Sequence, residues 1–258
     1  VAEGLNEAGL SAGLFYFPGY GRYEAFDASK KSSSIADLQL VPWILGSCAT
    51  VEEVKAAVGK VHVVAVYPDA STVHWRFADA SGRQLVLEII DGEPIFYENE
   101  LGVLTNLNNY VNLYPGAAPS QMLGALRLSP FGAGSGFLGI PGDITPPSRF
   151  VRAAFYQTSA PEQATAADAV TQCFHILNNF DIPIGIETDR GGKPTDIPSA
   201  TQWTAVTDVK NRVIYYRTMY DSNIRAFDLR SIDFAAISYR SEPLDKTAEQ
   251  PVQFIRVR

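Results

Sequence analysis

Residues 72–98, TVHWRFADASGRQLVLEIIDGEPIFYE, contain three runs rich in β-branched, aliphatic and aromatic residues, separated by two short turn sequences. The first turn is Ala80-Ser81-Gly82-Arg83, and the second is Asp91-Gly92, a dipeptide typical of two-residue β-hairpins. The pattern predicts strands over 72–79, 84–90 and 94–98. Because hairpins join antiparallel neighbours, this stretch predicts a mainly antiparallel sheet.

Two helices are predicted before this meander. Thr50 and Glu53 have capping-box spacing, which predicts a helix over 51–58. Ser34 with Asp37 indicates another helix over 38–45, which Pro42 would bend.

Further helices and strands are predicted on both sides of the meander. A helix over 148–158 would be capped by Ser148, and one over 161–178 would begin at Pro161. Further strands are predicted over 61–67, 201–208, 213–219, 224–229 and 252–257. Two antiparallel sheets separated by helical pairs predict a single layered α+β domain over 1–258, in which the sheets pack together and helices cover the outside.

The composition indicates a globular protein and limits its partners. The 258 residues are 46% hydrophobic and carry a net charge of -7. That charge and the absence of clustered Lys and Arg argue against a nucleic-acid partner. No apolar run approaches the roughly 18 residues of a membrane helix, so no membrane partner is expected. Cys48 and Cys173 are too few for a disulfide framework, and both are predicted to be buried thiols.

A second stretch, residues 131–155 (FGAGSGFLGIPGDITPPSRFVRAAF), combines glycine-rich backbone with an arginine at the start of a predicted helix. Gly132, Gly134, Gly136 and Gly139 permit positive φ or close backbone approach. Arg149 lies in the first helical turn, where the helix dipole disfavours a cation. It is therefore either a surface residue after an irregular loop or part of a site. A nucleotide fingerprint is unsupported, because the full glycine spacing and a Lys-Ser or Lys-Thr pair are both missing.

The chain lacks familiar metal and nucleophile motifs. His62, His74 and His175 have no metal-ligand spacing, so neither a metal nor a cofactor is expected. Cys173 and His175 are two residues apart on a predicted helix, about 200° around its axis, so a catalytic dyad is disfavoured. No Gly-x-Ser-x-Gly elbow occurs.

Several short motifs, taken in order, resemble the choloylglycine hydrolase family, which includes penicillin V acylases and conjugated bile salt hydrolases within the N-terminal nucleophile (Ntn) hydrolase superfamily. The resemblance covers nearly the whole chain. The motifs that carry it are Gly4-Leu5-Asn6-Glu7-Ala8-Gly9-Leu10, Phe17-Pro18-Gly19-Tyr20, Leu104-Thr105-Asn106, Pro141-Gly142-Asp143, Ser148-Arg149-Phe150, Phe174-His175-Ile176-Leu177-Asn178 and Tyr215-Tyr216-Arg217-Thr218.

The resemblance implies a four-layer αββα sandwich and hydrolysis of a non-peptide amide by an N-terminal cysteine that self-processing exposes. A free α-amino group, with a reference pKa of about 7.7 to 8.0, can accept the thiol proton and later protonate the leaving amine. Cys48 and Cys173 are internal, so neither is the nucleophile under this interpretation. The resemblance also implies a bacterial origin, a homotetramer, and the periplasm, with the cytoplasm as the alternative compartment.

The resemblance implies roles for three residues. Arg149 corresponds to the active-site arginine, which would favour the thiolate and orient the catalytic groups. Asn106 corresponds to the oxyanion-hole asparagine, and the backbone N–H of Tyr16 would be the second oxyanion donor. Tyr16 and Phe15 are the predicted substrate-binding residues. Plain core packing of Tyr16 between Phe15 and Phe17 is the alternative.

The sequence departs from the family pattern at two places. It starts after the strands that carry the nucleophile, so the domain is expected to lack those strands and the essential thiol. The Leu-Thr-Asn motif also runs straight into Leu107-Asn108-Asn109-Tyr110, so Asn106 is either the oxyanion residue or the helix asparagine that follows it in the family. Both omissions would border one cleft, which suggests one chain of a cleaved enzyme or a sequence that joins separate pieces.

The predicted function is that of a penicillin V acylase-like amidase acting on a small acyl amide. Conjugated bile salts and acyl-homoserine lactones are alternative substrates, since an aromatic residue at position 16 could line several acyl pockets. The alternative from another class is a non-catalytic fragment that acts as a binding or assembly module.

Overall fold

The predicted meander supplies three adjacent strands, including one edge strand, of a five-stranded antiparallel sheet. The computed structural model describes residues 1–67, 72–106, 129–130, 136–187 and 199–257. The sheet has the order β1-β2-β5-β6-β7, and its strands are Glu3–Leu5 (β1), Ser11–Tyr16 (β2), Val73–Ala78 (β5), Gln84–Ile90 (β6) and Glu93–Glu98 (β7). The predicted hairpin turn at Asp91-Gly92 is confirmed, since both residues adopt positive φ, 53° and 86°.

Two short helices cover one face of this sheet. They are Leu40–Ser47 (α1) and Val51–Val58 (α2). Alternate residues of the strands and the apolar sides of the helices form one core, whose fully enclosed members include Leu10, Leu40, Ile44, Val54, Trp75, Phe77, Leu85 and Leu87. Burial of this apolar surface is the main force that holds the helices on the sheet.

The two helix starts differ in how well the sequence predicts them. Thr50 is confirmed as the N-cap of α2, because its Oγ1 accepts a hydrogen bond from Glu53 N at 3.2 Å; the Glu53 carboxylate reaches back to Ala49 N, one residue before the cap. The helix predicted over 38–45 is shifted: a 3-10 turn at Asp37–Gln39 precedes α1. Pro42 is the third residue of α1, where its missing N–H would have had no intrahelical partner, so it fits the first turn.

Asn6 ties the turn between β1 and β2 to the end of α1. Its Nδ2 donates to the carbonyls of Leu45 and Cys48, at 3.0 and 2.7 Å. Its Oδ1 accepts from the backbone N–H groups of Ala8 and Leu10, at 3.1 and 2.9 Å. These four bonds use the full hydrogen-bonding capacity of the amide.

The remaining elements fall into two compact units, Val1–Pro161 and Glu162–Arg258. The first also contains the parallel pair Ser34–Ala36 (β3) and His62–Val64 (β4), the antiparallel pair Ser129–Pro130 (β8) and Phe137–Leu138 (β9), and the helix Pro146–Ser159 (α3). The second contains the helix Ala166–Leu177 (α4) and an antiparallel sheet of Trp203–Asp208 (β10), Val213–Thr218 (β11) and Arg225–Asp228 (β12). The prediction of one domain over 1–258 stays a prediction.

Three sequence predictions are wrong in the second half of the chain. Ser148 does not cap α3, because the helix begins two residues earlier at Pro146, with Thr145 as its N-cap residue. The α4 helix begins after Thr165, whose hydroxyl accepts from Asp168 N, rather than at Pro161. Residues 252–257 form no strand within the described chain.

In residues 1–67, 72–106, 129–130, 136–187 and 199–257, no helix is both long and apolar enough to cross a bilayer.

The glycine-rich loop is described only in part. Gly136 and Gly139 have φ values of 88° and 94°, in keeping with the conformational freedom expected there. Gly132, Gly134 and the segment 107–110 lie outside the described residues.

Candidate active site

Three predicted site residues are connected by hydrogen bonds in the first unit. Tyr16 is the last residue of β2, Asn106 follows the loop after β7, and Arg149 is the fourth residue of α3. Asn106 Nδ2 donates to the carbonyl oxygen of Tyr16 at 3.2 Å, and Asn106 Oδ1 accepts from Arg149 Nη2 at 3.1 Å. One amide side chain therefore joins the strand end to the guanidinium.

Strand pairing explains why the Tyr16 carbonyl is available to Asn106. Phe17 N–H donates to Thr72 O, on the β5 side of β2, whereas Leu14 N–H donates to Ala2 O, on the β1 side. Peptide groups alternate between the two sides of a strand, so the N–H and C=O of Tyr16 point to the same side as those of Leu14. Both groups of Tyr16 that matter to the predicted oxyanion site therefore face away from β5.

Asn106 is fixed by its neighbour in sequence. Thr105 is buried, and its Oγ1 donates to the carbonyl of Pro146 at 3.1 Å. Since Pro146 is the first residue of α3, this bond holds the 105–106 segment against the helix start. The Asn106 Nδ2 group has two hydrogens, of which the bond to Tyr16 uses one.

Arg149 is held by backbone as well as by Asn106. Its Nε donates to the carbonyl of Ile144 at 3.0 Å, and its own N–H donates to Thr145 O at 2.9 Å. The Nε and Nη2 groups lie on one edge of the guanidinium, so this edge has two acceptors. The partial negative charge of the Ile144 carbonyl oxygen lowers the electrostatic penalty of placing the Arg149 cation near the N-terminus of α3.

Phe15 is not brought to the same side of β2 as Tyr16. Neighbouring side chains on a strand point to opposite faces of the sheet. The Phe15 ring meets the His74 ring edge-on, with centroids 6.0 Å apart, whereas Phe17 stacks on His74 at 4.4 Å. Substrate binding by Phe15 stays a prediction.

His74 on β5 and Glu88 on β6 form a buried pair next to β2, which the sequence analysis did not predict. His74 Nδ1 and Glu88 Oε1 are 3.4 Å apart, and both side chains are fully buried. Burial raises the pKa of Glu88, while the contact with His74 acts in the opposite direction. The signal was available in the sequence, because His74 and Glu88 are polar residues within largely apolar runs that the hairpin pattern places side by side.

The cysteines and histidines form no alternative centre in the described residues. Cys48 is buried, its backbone N–H donates to Ile44 O, and burial raises the pKa of its thiol. Cys173 is exposed, so the prediction that it is buried is wrong. Cys173 and His175 both lie on α4, two residues apart and so about 200° apart around the helix axis. No group of three or more His, Cys, Asp or Glu side chains could hold a metal in the part of the chain that the structure describes.

Comparison with known proteins identifies the class that this fold and site define. A crystal structure of a variant of conjugated bile acid hydrolase from Clostridium perfringens matches 99% of this chain and 80% of that protein, with a TM-score of 0.81 and 26% identity. The α+β fold is that of the Ntn hydrolases, as predicted.

The family follows from the sequence comparison. A family model described as linear amide C-N hydrolases, choloylglycine hydrolase family, matches residues 1–243. A bile salt hydrolase/transferase of Clostridium perfringens is 31% identical over 95% of this chain and 78% of its own length. A penicillin V acylase of Pectobacterium atrosepticum is 23% identical over 95% of this chain and 66% of its own length. The chain belongs to the choloylglycine hydrolase family of linear amide C–N hydrolases, and the predicted enzyme class, an amidase of this family, is confirmed.

Proposed function

We propose that the linked residues Tyr16, Asn106 and Arg149 form one side of an active site that hydrolyses the amide bond between an acyl group and a small amine. The observation that carries this proposal is the hydrogen-bond path from Tyr16 O through Asn106 to Arg149, in a chain of this family. The residues come from a strand end, a loop and a helix start, so the path is not a product of local sequence.

The proposed nucleophile is the thiol of an N-terminal cysteine outside the sequence of this chain. The peptide nitrogens of Cys48 and Cys173 are amides within or beside helices, so neither can act as the free amine base that the mechanism needs. The α-amino group of the nucleophile would take the thiol proton, and the thiolate would attack the carbonyl carbon. The amine would leave with that proton, and water would then hydrolyse the thioester.

Each linked residue has a proposed role in these steps. The Arg149 guanidinium would favour the thiolate by charge. The second hydrogen of Asn106 Nδ2 and the backbone N–H of Tyr16 would stabilise the oxyanion of the tetrahedral intermediate. The exposed side chain of Tyr16 would contact the acyl group.

Two substrate classes are favoured by different observations. The exposed aromatic ring of Tyr16 supports a penicillin V-like aryl acyl group, as in penicillin V acylases. The 31% identity to a bile salt hydrolase/transferase supports a conjugated bile salt. Penicillin V, glycocholate and an acyl-homoserine lactone, offered separately to the purified full protein, distinguish these classes by the acid and amine released.

Removal of the Arg149 cation tests the site. We expect Arg149→Met to lower kcat/KM by roughly 100-fold or more on the preferred substrate, because the charge acts on the thiolate and the reacting centre. Arg149→Lys keeps the charge but lacks the paired Nε and Nη2 donors, so it should recover only part of the loss. Arg230→Met, at a surface ion pair with Asp228, is the control and should leave kcat/KM unchanged.

Two results would contradict the proposal. One is an amino-terminal residue other than cysteine in the purified protein, combined with no hydrolysis of any of the three substrates. That outcome would favour a binding or assembly module. The other is full activity of Arg149→Met.

We further propose a bacterial origin, a homotetramer and a periplasmic location, with the cytoplasm as the alternative compartment. These proposals rest on the resemblance to the family.

A further inference from the structure

The Ile144 carbonyl and Asn106 Oδ1 both accept hydrogen bonds from the Arg149 guanidinium. Arg149 Nε binds Ile144 O, and that oxygen belongs to a turn just before α3. A side chain as long as arginine has many rotamers, so a fixed acceptor is needed to select one of them. The orientation of the peptide units on either side of Ile144 therefore fixes the Nε end of the guanidinium, while Asn106 holds the Nη2 end.

The peptide unit after Ile144 is held by the Asp143 carboxylate. Asp143 Oδ1 accepts from the N–H and the hydroxyl of Thr145, at 2.9 and 2.5 Å, and Oδ2 accepts from Ser148 Oγ at 2.5 Å. These bonds keep the pKa of Asp143 at about 2, so the carboxylate is charged at every pH at which an amidase would work. Its negative charge also suits the N-terminal end of α3.

The peptide unit before Ile144 is held by Arg152. This side chain is 7% exposed, and its Nη1 donates to the carbonyls of Pro141 and Asp143, at 2.8 and 2.6 Å. A buried guanidinium needs such acceptors, because a charge without them would be expensive to bury. The carbonyl that precedes Ile144 is thus tied to α3 through a second arginine.

We propose that Asp143 and Arg152 are positioning residues for Arg149, and that they act by fixing the two peptide units that flank Ile144. The inference rests on the proposed function for its consequence in catalysis, but the positioning itself is a property of the free protein. Neither side chain needs to touch the substrate. Loss of either one therefore disturbs Arg149 more than it disturbs substrate binding.

Hydrogen exchange of the Arg149 Nε–H group, measured by NMR on the full protein, tests the positioning directly. The signal is assigned by its loss in Arg149→Lys. We expect Asp143→Asn and Arg152→Lys each to speed this exchange by roughly 10-fold or more, because the bond to Ile144 O then opens more often. We also expect kcat to fall by about 10- to 100-fold while KM stays within about twofold, since a small misplacement of a catalytic group affects the chemical step.

Asp168→Asn is the matched control. Asp168 accepts a hydrogen bond from the Thr165 hydroxyl at the start of α4, so this variant also removes an aspartate–threonine hydroxyl bond at a helix start, but far along the chain from Arg149. It should leave both the Arg149 Nε–H exchange and kcat unchanged. If Asp143→Asn does not fold, the Arg149 Nε–H exchange is measured in Ser148→Ala, which removes only the bond at Asp143 Oδ2.

Unchanged Arg149 Nε–H exchange in folded Asp143 and Arg152 variants would overturn the inference. Faster exchange in a protein that hydrolyses none of the three substrates would support the positioning and reject the proposed function. The two failures are therefore distinguishable.

Discussion

At the scale of single residues, Glu88 links the stability of the fold to pH. Its carboxyl group is fully buried beside His74, and in the described part of the chain neither Glu88 Oε2 nor His74 Nε2 has a hydrogen-bond partner. The nearby phenol of Tyr97 also has a raised pKa, because of burial and the Glu88 charge. Such an environment favours the neutral carboxyl group over the carboxylate.

The sign of the pH dependence follows from the raised pKa of Glu88. The folded protein holds this proton more tightly than the unfolded chain, so the free energy of unfolding should fall as pH rises from the ordinary value of 4.5 through the raised pKa. Glu88→Gln, which is neutral throughout, should remove that fall and be more stable than the wild type above the raised pKa. Urea unfolding at several pH values measures this, with the exposed Glu93→Gln on β7 as control. A pH slope that persists in Glu88→Gln would contradict the assignment.

The sequence predicted which residues lie together at the candidate site, but not how the Arg149 side chain is held there. The resemblance to the family singled out Tyr16, Asn106 and Arg149, and the structure joins all three by hydrogen bonds. The same motifs did not show that Arg149 is held by Ile144 O, because that bond depends on the backbone direction of an irregular turn. The roles of these residues, and of Phe15, stay predictions.

At the scale of secondary-structure elements, Asn6 is the connection whose loss should matter most between β2 and α1. We expect Asn6→Ala to lower the free energy of unfolding by about 2–3 kcal/mol, because two carbonyls and two N–H groups lose their partner. Chemical denaturation measures the change. Asn179→Ala is the matched control: its Nδ2 donates to the carbonyls of His175 and Ile176, but the residue is exposed, so its loss should be less than about 1 kcal/mol. Equal losses in the two variants would contradict the special role of Asn6.

The predicted elements were most accurate where local signals act alone. The strand over 84–90 matches β6 and the helix over 51–58 matches α2, since a two-residue turn marks the end of the strand and the Thr50 cap marks the start of the helix. The start of α3 was misplaced because Pro146 and Pro147 can both occupy the first helical turn, which left Ser148 as a false cap. The strand predicted over 252–257 is wrong because β-prone residues form a strand only when it pairs with another, and this run pairs with none among the described residues.

At the scale of the whole molecule, hairpins made the α+β class predictable, but strand order was not. The sheet pairs β2 with β5, and 56 residues separate the end of the first from the start of the second. No local signal encodes such a pairing, because it depends on how the side chains of α1, α2 and the strands fill one core.

The proposed assembly and compartment are testable on the intact protein. Light scattering coupled to size exclusion should give four times the mass of one chain, and periplasmic extraction of the natural host should release the protein with other periplasmic proteins. Exposed apolar side chains such as Phe254 and Ile255 in the second unit support self-association. A particle with the mass of one chain would reject the tetramer.

Asn106 binds the main-chain oxygen of residue 16 and not its side chain. Holding Asn106 in place is therefore independent of which side chain this position carries. Every amino acid supplies this oxygen, whatever side chain it bears. Under the proposed function, mutation at this codon would alter which acyl groups are accepted while the bonds around the guanidinium persist. A change of substrate preference from one class of acyl amide to another would then require few substitutions, and position 16 is the place to start a directed-evolution library.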